Sequence, residues 1–111
     1  MITRSLFVAV CSLLFVITEA RSADVDADAA QALAKKSGCL KCHSIDKKKD
    51  APSYKEIAAK NKGKADTENR LYKHLTTNPK VKVDGQEETH SSLKTKDEKE
   101  IRNVVRWILS R

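Results

Sequence analysis

The sequence is poor in several residue types, and each shortage narrows what the chain can be. Its 111 residues include three cysteines, one methionine and 5% aromatic residues. Three cysteines cannot form two pairs, so a structural zinc site would have to complete its four ligands with histidines. Apart from the lysine run 47–49 there is no low-complexity tract, and there is no internal repeat or nucleic-acid-binding motif. These absences favour one small domain and argue against a nucleic-acid-binding protein.

The first twenty residues have the layout of a secretory signal peptide. Arg4 supplies a positive charge, and residues 5–18 form an apolar stretch of fourteen, shorter than the roughly 20 residues that a membrane-spanning helix needs. We predict cleavage after Ala20, with Ser22 and Ala23 as the nearest alternatives. An uncleaved membrane anchor is the competing interpretation. Cleavage would leave a periplasmic domain of residues 21–111 with no membrane span.

The predicted mature chain is basic and has few large apolar side chains. The whole sequence has 22 Lys+Arg against 15 Asp+Glu, a net charge of +7, and residues 1–20 contain one charge of each sign. A small core is marginal by itself, and small domains usually add a disulfide, a metal or a cofactor. Because Cys11 lies in the predicted signal peptide, Cys39 and Cys42 are the cysteines available for that purpose.

Helix-capping residues and the spacing of apolar residues predict an all-α chain with four helices. Capping boxes open two of them, one at Ser53 with Glu56 and one at Thr95 with Glu98. The predicted helices cover residues 26–36, 53–61, 67–77 and 96–110.

The stretch 80–94, before the last helix, is the least regular part of the chain. The alternation in residues 81–83, followed by Asp84-Gly85, indicates a brief extended piece and a turn.

Residues 39–43, Cys-Leu-Lys-Cys-His, match the C-x-x-C-H pattern to which c-type haem is attached. Two thiols three residues apart can each add to one of the vinyl groups of a haem. The adjacent His43 then falls beneath the ring, where its imidazole can bind the iron as the proximal ligand. The pattern predicts one covalent haem c held by Cys39, Cys42 and His43.

Three other uses of the cysteine pair compete with haem attachment. A zinc site could combine Cys39 and Cys42 with two of the three histidines, but their spacing is poor for zinc. A thioredoxin-like redox pair expects a βαβ context, which the helical pattern does not provide. A simple disulfide in an exported protein is the third alternative.

Residues 28–111 resemble the small class I bacterial cytochromes c of the c-551 or c5 type, except over 80–93. The resemblance implies about four helices around one haem, with the N- and C-terminal helices crossing. It also implies that Trp107 packs at this crossing and that the carbonyl of Pro52 accepts a hydrogen bond from the proximal histidine. Ala51 stands where the family usually has glycine. The matching stretches are 35–39, 42–48, 51–58 and 105–110.

The chain departs from this family at the second axial ligand of the iron. The family usually places a methionine opposite the proximal histidine, but the only methionine here is Met1. His90 follows His43 by 47 positions, which resembles the family's spacing between its two ligands. We therefore predict His90 as the distal ligand of a low-spin, bis-histidine iron. The alternatives are a five-coordinate iron beside an exposed His90, or ligation by His74, Asn78, Lys80 or Lys82.

The resemblance and the predicted ligands imply periplasmic electron transfer by a monomer that is not an enzyme. A second imidazole favours ferric iron and would lower the reduction potential below that of a His/Met relative. The alternatives are a protein that binds or senses NO, CO or O₂, and a cytochrome subunit of a periplasmic oxidoreductase. Lysines near the motif could steer an acidic redox partner, or could simply aid solubility. They are residues 35, 36, 41 and 47–49.

Overall fold

The computed structural model describes residues 24–111, so the predicted signal peptide 1–20 and its boundary up to residue 23 lie outside the described residues. The described chain contains four α-helices, as predicted, with a short 3₁₀ turn at Cys39–Lys41 and one β-hairpin. No helix in residues 24–111 is long and apolar enough to cross a membrane. The helices are α1 (Ala27–Lys36), α2 (Tyr54–Asn61), α3 (Thr67–His74) and α4 (Glu98–Leu109), and the strands are β1 (Lys80–Val83) and β2 (Gln86–Thr89).

Helix α1 ends at Lys36, as predicted, and begins at Ala27, one residue later than predicted. The side chain of Asp26 caps it by accepting a hydrogen bond of 3.0 Å from the backbone N–H of Ala29. The helix is followed by Gly38, whose φ of +78° is a left-handed conformation that glycine adopts without strain. The residues that α1 buries, Ala30 and Ala34, are small, which lets its backbone approach a neighbouring helix closely.

Helix α4 is the centre of the core, because it packs against each of the other three helices. Its contact with α1 confirms that the N- and C-terminal helices pack together. Two hydrogen bonds of 2.9 Å join the N-cap of α1 to the middle of α4: the backbone N–H of Asp26 donates to Oδ1 of Asn103, and Nδ2 of Asn103 donates to the carbonyl of Asp26. The buried residues of α4 are Ile101, Val104, Val105, Trp107 and Ile108.

The predicted start of α4 is wrong by two residues. Asp97 is the N-cap, and its carboxylate accepts hydrogen bonds from the backbone N–H groups of Lys99 and Glu100. Thr95 does not form the predicted capping box with Glu98. Its hydroxyl donates to the carboxylate of Glu100 instead.

The predicted end of α3 is also too late, because the helix stops at His74 rather than at residue 77. The hydroxyl groups of Thr76 and Thr77 donate to the carbonyls of Tyr72 and Lys73, at 2.9 and 2.7 Å. Such bonds from side chain to backbone compete with continuation of a helix. The chain then leaves α3 through Asn78, which has a positive φ of 50°.

The hairpin formed by β1 and β2 confirms the extended piece and turn predicted at 81–85 and adds a second strand. The strands are antiparallel, with Lys80 opposite Thr89 and Val83 opposite Gln86. The two turn residues, Asp84 and Gly85, have φ values of 50° and 79°. Positive φ at both central residues is typical of the tight turns that suit the twist of a hairpin.

Candidate cofactor site

The 3₁₀ turn at Cys39–Lys41 gathers the three residues of the attachment motif. The carbonyl of Cys39 accepts hydrogen bonds from the backbone N–H groups of Cys42 and His43, at 3.3 and 3.0 Å. The thiols of Cys39 and Cys42 are free, so the structure does not pair them as a disulfide. The turn therefore presents two thiols and one imidazole from five consecutive residues.

His43 is oriented by the carbonyl of Pro52, as the family resemblance implies. Nδ1 of His43 lies 2.6 Å from that oxygen. Because a carbonyl only accepts, Nδ1 carries the hydrogen and Nε2 keeps a free lone pair. A backbone bond of 3.0 Å from Ala51 N–H to the carbonyl of Cys42 holds the two ends of this loop together. This arrangement suits a metal ligand, which usually donates its second ring N–H to an acceptor.

Tyr54 contacts the other parts of the proximal side. Its ring stacks on that of His43, with a centroid distance of 5.3 Å and an interplanar angle of 21°. Its other neighbour is Trp107, whose ring it meets edge-on at 5.3 Å. Burial, followed by the nearby Cys39, raises the pKa of Tyr54 well above its ordinary value. Burial also raises the pKa of the Cys39 thiol.

Trp107 lies within the core, where its ring contacts Tyr54 of α2. It is 1% exposed, and its partner Tyr54 is the first residue of α2. The sequence did not identify Tyr54 as part of this site. Its position directly after the capping Ser53, close to Pro52, is the signal that could have placed it beside His43.

The ring of His90 lies across the site from that of His43. The two ring centroids are 6.2 Å apart and the rings are tilted by 58°. Two imidazoles bound to one metal, with metal–nitrogen bonds of about 2.0–2.1 Å, have centroids roughly 6 Å apart. Burial, followed by the charges of His74 and His43, lowers the pKa of His90, which favours the neutral imidazole that binds metals. The spacing and the donor set fit an iron held between the two rings.

His74 lies beside His90. Its ring centroid is 4.4 Å from that of His90, with a tilt of 54°. Burial, followed by the charge of His43, lowers its pKa. His74 is the last residue of α3, so it forms part of the distal wall.

The backbone of His90 is held by Pro79 and Asn78, of which the sequence named only Asn78, as an alternative iron ligand. Its N–H donates to the carbonyl of Pro79 at 2.8 Å. Its carbonyl accepts a hydrogen bond of 3.1 Å from Nδ2 of Asn78.

The zinc alternative has no support in the described residues. Within 24–111, no group of three or more His, Cys, Asp or Glu side chains is arranged to hold a metal ion. What the chain provides is two thiols and one imidazole on a single turn, with a second imidazole opposite. This donor set fits a covalently tethered haem.

A group of exposed lysines lies in and beside the attachment turn. Nζ of Lys49 donates to the carbonyl of Leu40 at 3.3 Å, which ties the loop back to the turn. We call this group the lysine rim; its members are residues 35, 36, 41 and 47–49, and all of them are exposed.

A family model described as Cytochrome c matches residues 27–111. Cytochrome c-551 of Allochromatium vinosum is 49% identical over 39 residues, which cover 35% of this chain and 42% of that protein. Cytochrome c-551 of Pseudomonas aeruginosa is 41% identical over 49 residues, which cover 44% of this chain and 47% of that protein. The chain thus matches less than half the length of these curated relatives.

Solved structures give a longer match. The class 1 cytochrome MtoD from Sideroxydans lithotrophicus ES-1 superposes with a TM-score of 0.75 and 49% identity, over 78% of this chain and 97% of that chain. Wild-type cytochrome c552 of Nitrosomonas europaea superposes with a TM-score of 0.56 and 25% identity, over 72% of this chain and 96% of that chain.

Proposed function

The chain belongs to the cytochrome c family as a small class I member with one covalently attached haem c, and we propose that it is an exported electron carrier with bis-histidine iron. In this proposal Cys39 and Cys42 carry the thioether bonds, and His43 and His90 are the axial ligands. The haem supplies a one-electron couple between ferric and ferrous iron.

The proximal half of the proposal is supported by the hydrogen bond from His43 to Pro52. With Nδ1 of His43 2.6 Å from that carbonyl, the lone pair of Nε2 is available to a metal. Tyr54 stacks on the same ring and so limits its rotation. The proximal imidazole is therefore fixed by one polar and one apolar contact before any metal bond forms.

The distal half rests on one observation, the 6.2 Å separation of the His43 and His90 ring centroids. The single methionine of the sequence is Met1, so residues 24–111 contain no thioether that could take this place. His90 is the residue that faces His43 at the distance expected for a shared metal ion.

Two strong ligands would limit the chemistry of the site to electron transfer. If His43 and His90 both bind the iron, small molecules such as O₂, CO or NO would have no open position on it. A second imidazole in place of a thioether also lowers the reduction potential. Electron transfer without catalysis is therefore the activity that this ligand pair favours.

The proposed location is the periplasm, after cleavage of residues 1–20. The charged and apolar pattern of this segment supports export. The lysine rim supports a partner with an acidic docking surface, because exposed charges of one sign near a redox site raise the encounter rate with the opposite charge. N-terminal sequencing of the exported protein tests the cleavage after Ala20.

The experiment is a comparison of His90→Ala with His74→Ala in purified, exported holoprotein. The two histidines are neighbours, with ring centroids 4.4 Å apart, so His74→Ala controls for disturbance of the distal wall. We expect wild type and His74→Ala to be low-spin in the ferric state and unreactive to CO when reduced. We expect His90→Ala to become high-spin or visibly re-ligated, and to bind CO.

The opposite pattern, with only His74→Ala changing the spectrum, would assign the distal bond to His74 and contradict the proposal. A wild-type protein that is high-spin or binds CO rapidly would instead favour a ligand-binding function. A pyridine haemochrome spectrum and the mass of the denatured protein test the covalent bonds to Cys39 and Cys42.

A further inference from the structure

The segment that carries His90 is a hairpin that contacts little except itself. In residues 24–111, β1 and β2 contact each other far more than they contact any helix. Every residue of β2 is exposed. An isolated two-stranded hairpin is only marginally stable in water. The position of a residue at its end must therefore depend on how the base of the hairpin is held.

The base of the hairpin is closed by hydrogen bonds to both backbone groups of His90. Its N–H donates to Pro79 at 2.8 Å, and its carbonyl accepts from Nδ2 of Asn78 at 3.1 Å. A further bond of 3.1 Å, from the N–H of Leu93 to the carbonyl of Leu75, joins the following residues to the end of α3. The residues just before the hairpin, Asn78 and Pro79, thus hold His90, the residue just after it.

The ring of His90 lacks the hydrogen bond that usually orients a metal-ligating histidine. His43 has such a bond, through Nδ1 to the carbonyl of Pro52. Nδ1 of His90 is buried and has no hydrogen-bond partner among the described residues. With no acceptor to fix its ring, His90 is oriented through its backbone and through its contact with His74.

We propose that Asn78 is a positioning residue that holds His90 on the distal side, and that it controls how readily His90 leaves the iron. This inference rests on the proposed ligation by His90. Asn78 also supplies the left-handed turn from α3 into the hairpin, with φ 50°. The side-chain bond and the turn are separable functions of the one residue, because glycine adopts the same φ but has no amide to donate.

The test is the rate at which cyanide displaces the distal ligand of the ferric holoprotein in Asn78→Gly. Since cyanide binds only when His90 has left, losing a bond that holds His90 should speed the reaction by roughly 2- to 12-fold, the effect of one ordinary hydrogen bond. The resting spectrum should remain low-spin. Asn78→Asp, which keeps the shape and tolerates positive φ but cannot donate from its carboxylate, is expected to be faster than wild type as well. It serves if the glycine variant does not accumulate.

Asp84→Gly is the matched control, because Asp84 also has φ 50° but lies at the tip of the hairpin. We expect it to react with cyanide at the wild-type rate. Equal acceleration in Asn78→Gly and Asp84→Gly would mean that general loosening of the hairpin, not the Asn78 bond, sets the rate, and would overturn the inference. So would a wild-type rate in both Asn78 variants while wild type is low-spin with two histidine ligands. If His90→Ala leaves the wild-type spectrum unchanged, the proposed ligation itself fails, and this inference fails with it.

Discussion

Asn103 is the side chain whose removal tests the polar contact between α1 and α4 most directly. It makes two hydrogen bonds of 2.9 Å with the backbone of Asp26, one as acceptor and one as donor. Its partners are backbone groups, so a change of side chain at Asp26, other than to proline, leaves them in place. We therefore predict that Asn103→Ala weakens the contact between α1 and α4 without altering the buried apolar residues between them.

The expected loss of unfolding free energy follows from the number of these hydrogen bonds and from their exposure to water. Each ordinary hydrogen bond contributes about 0.5–1.5 kcal/mol net, so two contribute about 1–3 kcal/mol. Asp26 is exposed, so water can replace part of each bond in the variant, which favours the lower half of this range. Alanine is also a better helix former than asparagine, by about 0.5 kcal/mol. The net result should be a destabilisation of about 1 kcal/mol, or about 4–8 °C in Tm for a domain of this size.

The assay is guanidinium unfolding of the holoprotein followed by far-ultraviolet circular dichroism, together with hydrogen exchange of the Asp26 amide. Lys99→Ala is the control, because it changes an exposed side chain on the same helix. Asn103→Ala should lower the unfolding midpoint and the protection of the Asp26 amide, while Lys99→Ala changes neither. If the amide of Asp26 keeps its protection in Asn103→Ala, the reciprocal pair does not hold α1 to α4 and the reasoning is refuted.

Two further predictions concern the proximal side and the surface. Because burial raises the pKa of Tyr54, its neutral phenol favours the native state; this contribution is complete below the unfolded pKa of about 10 and is lost as pH rises towards the folded value. The free energy of unfolding, measured by denaturant titration, should therefore fall less steeply with rising pH above pH 10 in Tyr54→Phe than in wild type. Parallel plots of unfolding free energy against pH would contradict this. For the lysine rim, oxidation of the ferrous protein by ferricyanide, an anion, should slow as salt is added, by up to about 10–10³-fold if steering is strong. Glutamate at 47–49 should slow this reaction at low salt more than glutamate at Lys60, Lys62 and Lys64, and equal slowing would show that only net charge matters.

Capping residues in the sequence predict a helix end well where a single set of neighbouring side chains can form the cap. The capping box of α2 is present as predicted, with Ser53 and Glu56 each accepting a backbone hydrogen bond from the other. The box at the start of α4 failed because Thr95 and Asp97 are both capping residues and lie two positions apart. The carboxylate of Asp97 caps the helix because it accepts hydrogen bonds from two backbone N–H groups. The sequence pattern alone does not show which of the two residues, Thr95 or Asp97, is the cap.

The second strand of the hairpin could not be predicted from its own residues. Residues 86–89 are all exposed in the structure, so they show no alternation of apolar and polar side chains. The strand exists because Asp84-Gly85 turns the chain back onto β1. Its pairing is a property of the turn and the partner strand, not of the segment itself.

The candidate site divides in the same way between local and distant residues. Cys39, Cys42 and His43 form one turn, so their spacing alone predicts their chemistry. His90 was predicted as the distal ligand from its spacing from His43 in the sequence and from the absence of a methionine other than Met1. The position of Tyr54 next to Ser53 and Pro52 is a local signal, whereas the side-chain hydrogen bond from Asn78 to His90 spans twelve residues and has no short-range pattern in the sequence.

The burial of Trp107 has a practical consequence. It is the only tryptophan in the sequence, and its ring is linked through Tyr54 to His43 by two centroid distances of 5.3 Å. Haem absorbs light in the range in which indole emits, so the fluorescence of Trp107 should be quenched by energy transfer in the native protein. It should brighten when α4 separates from the attachment turn. The chain thus contains an optical reporter of its own unfolding that requires no added dye.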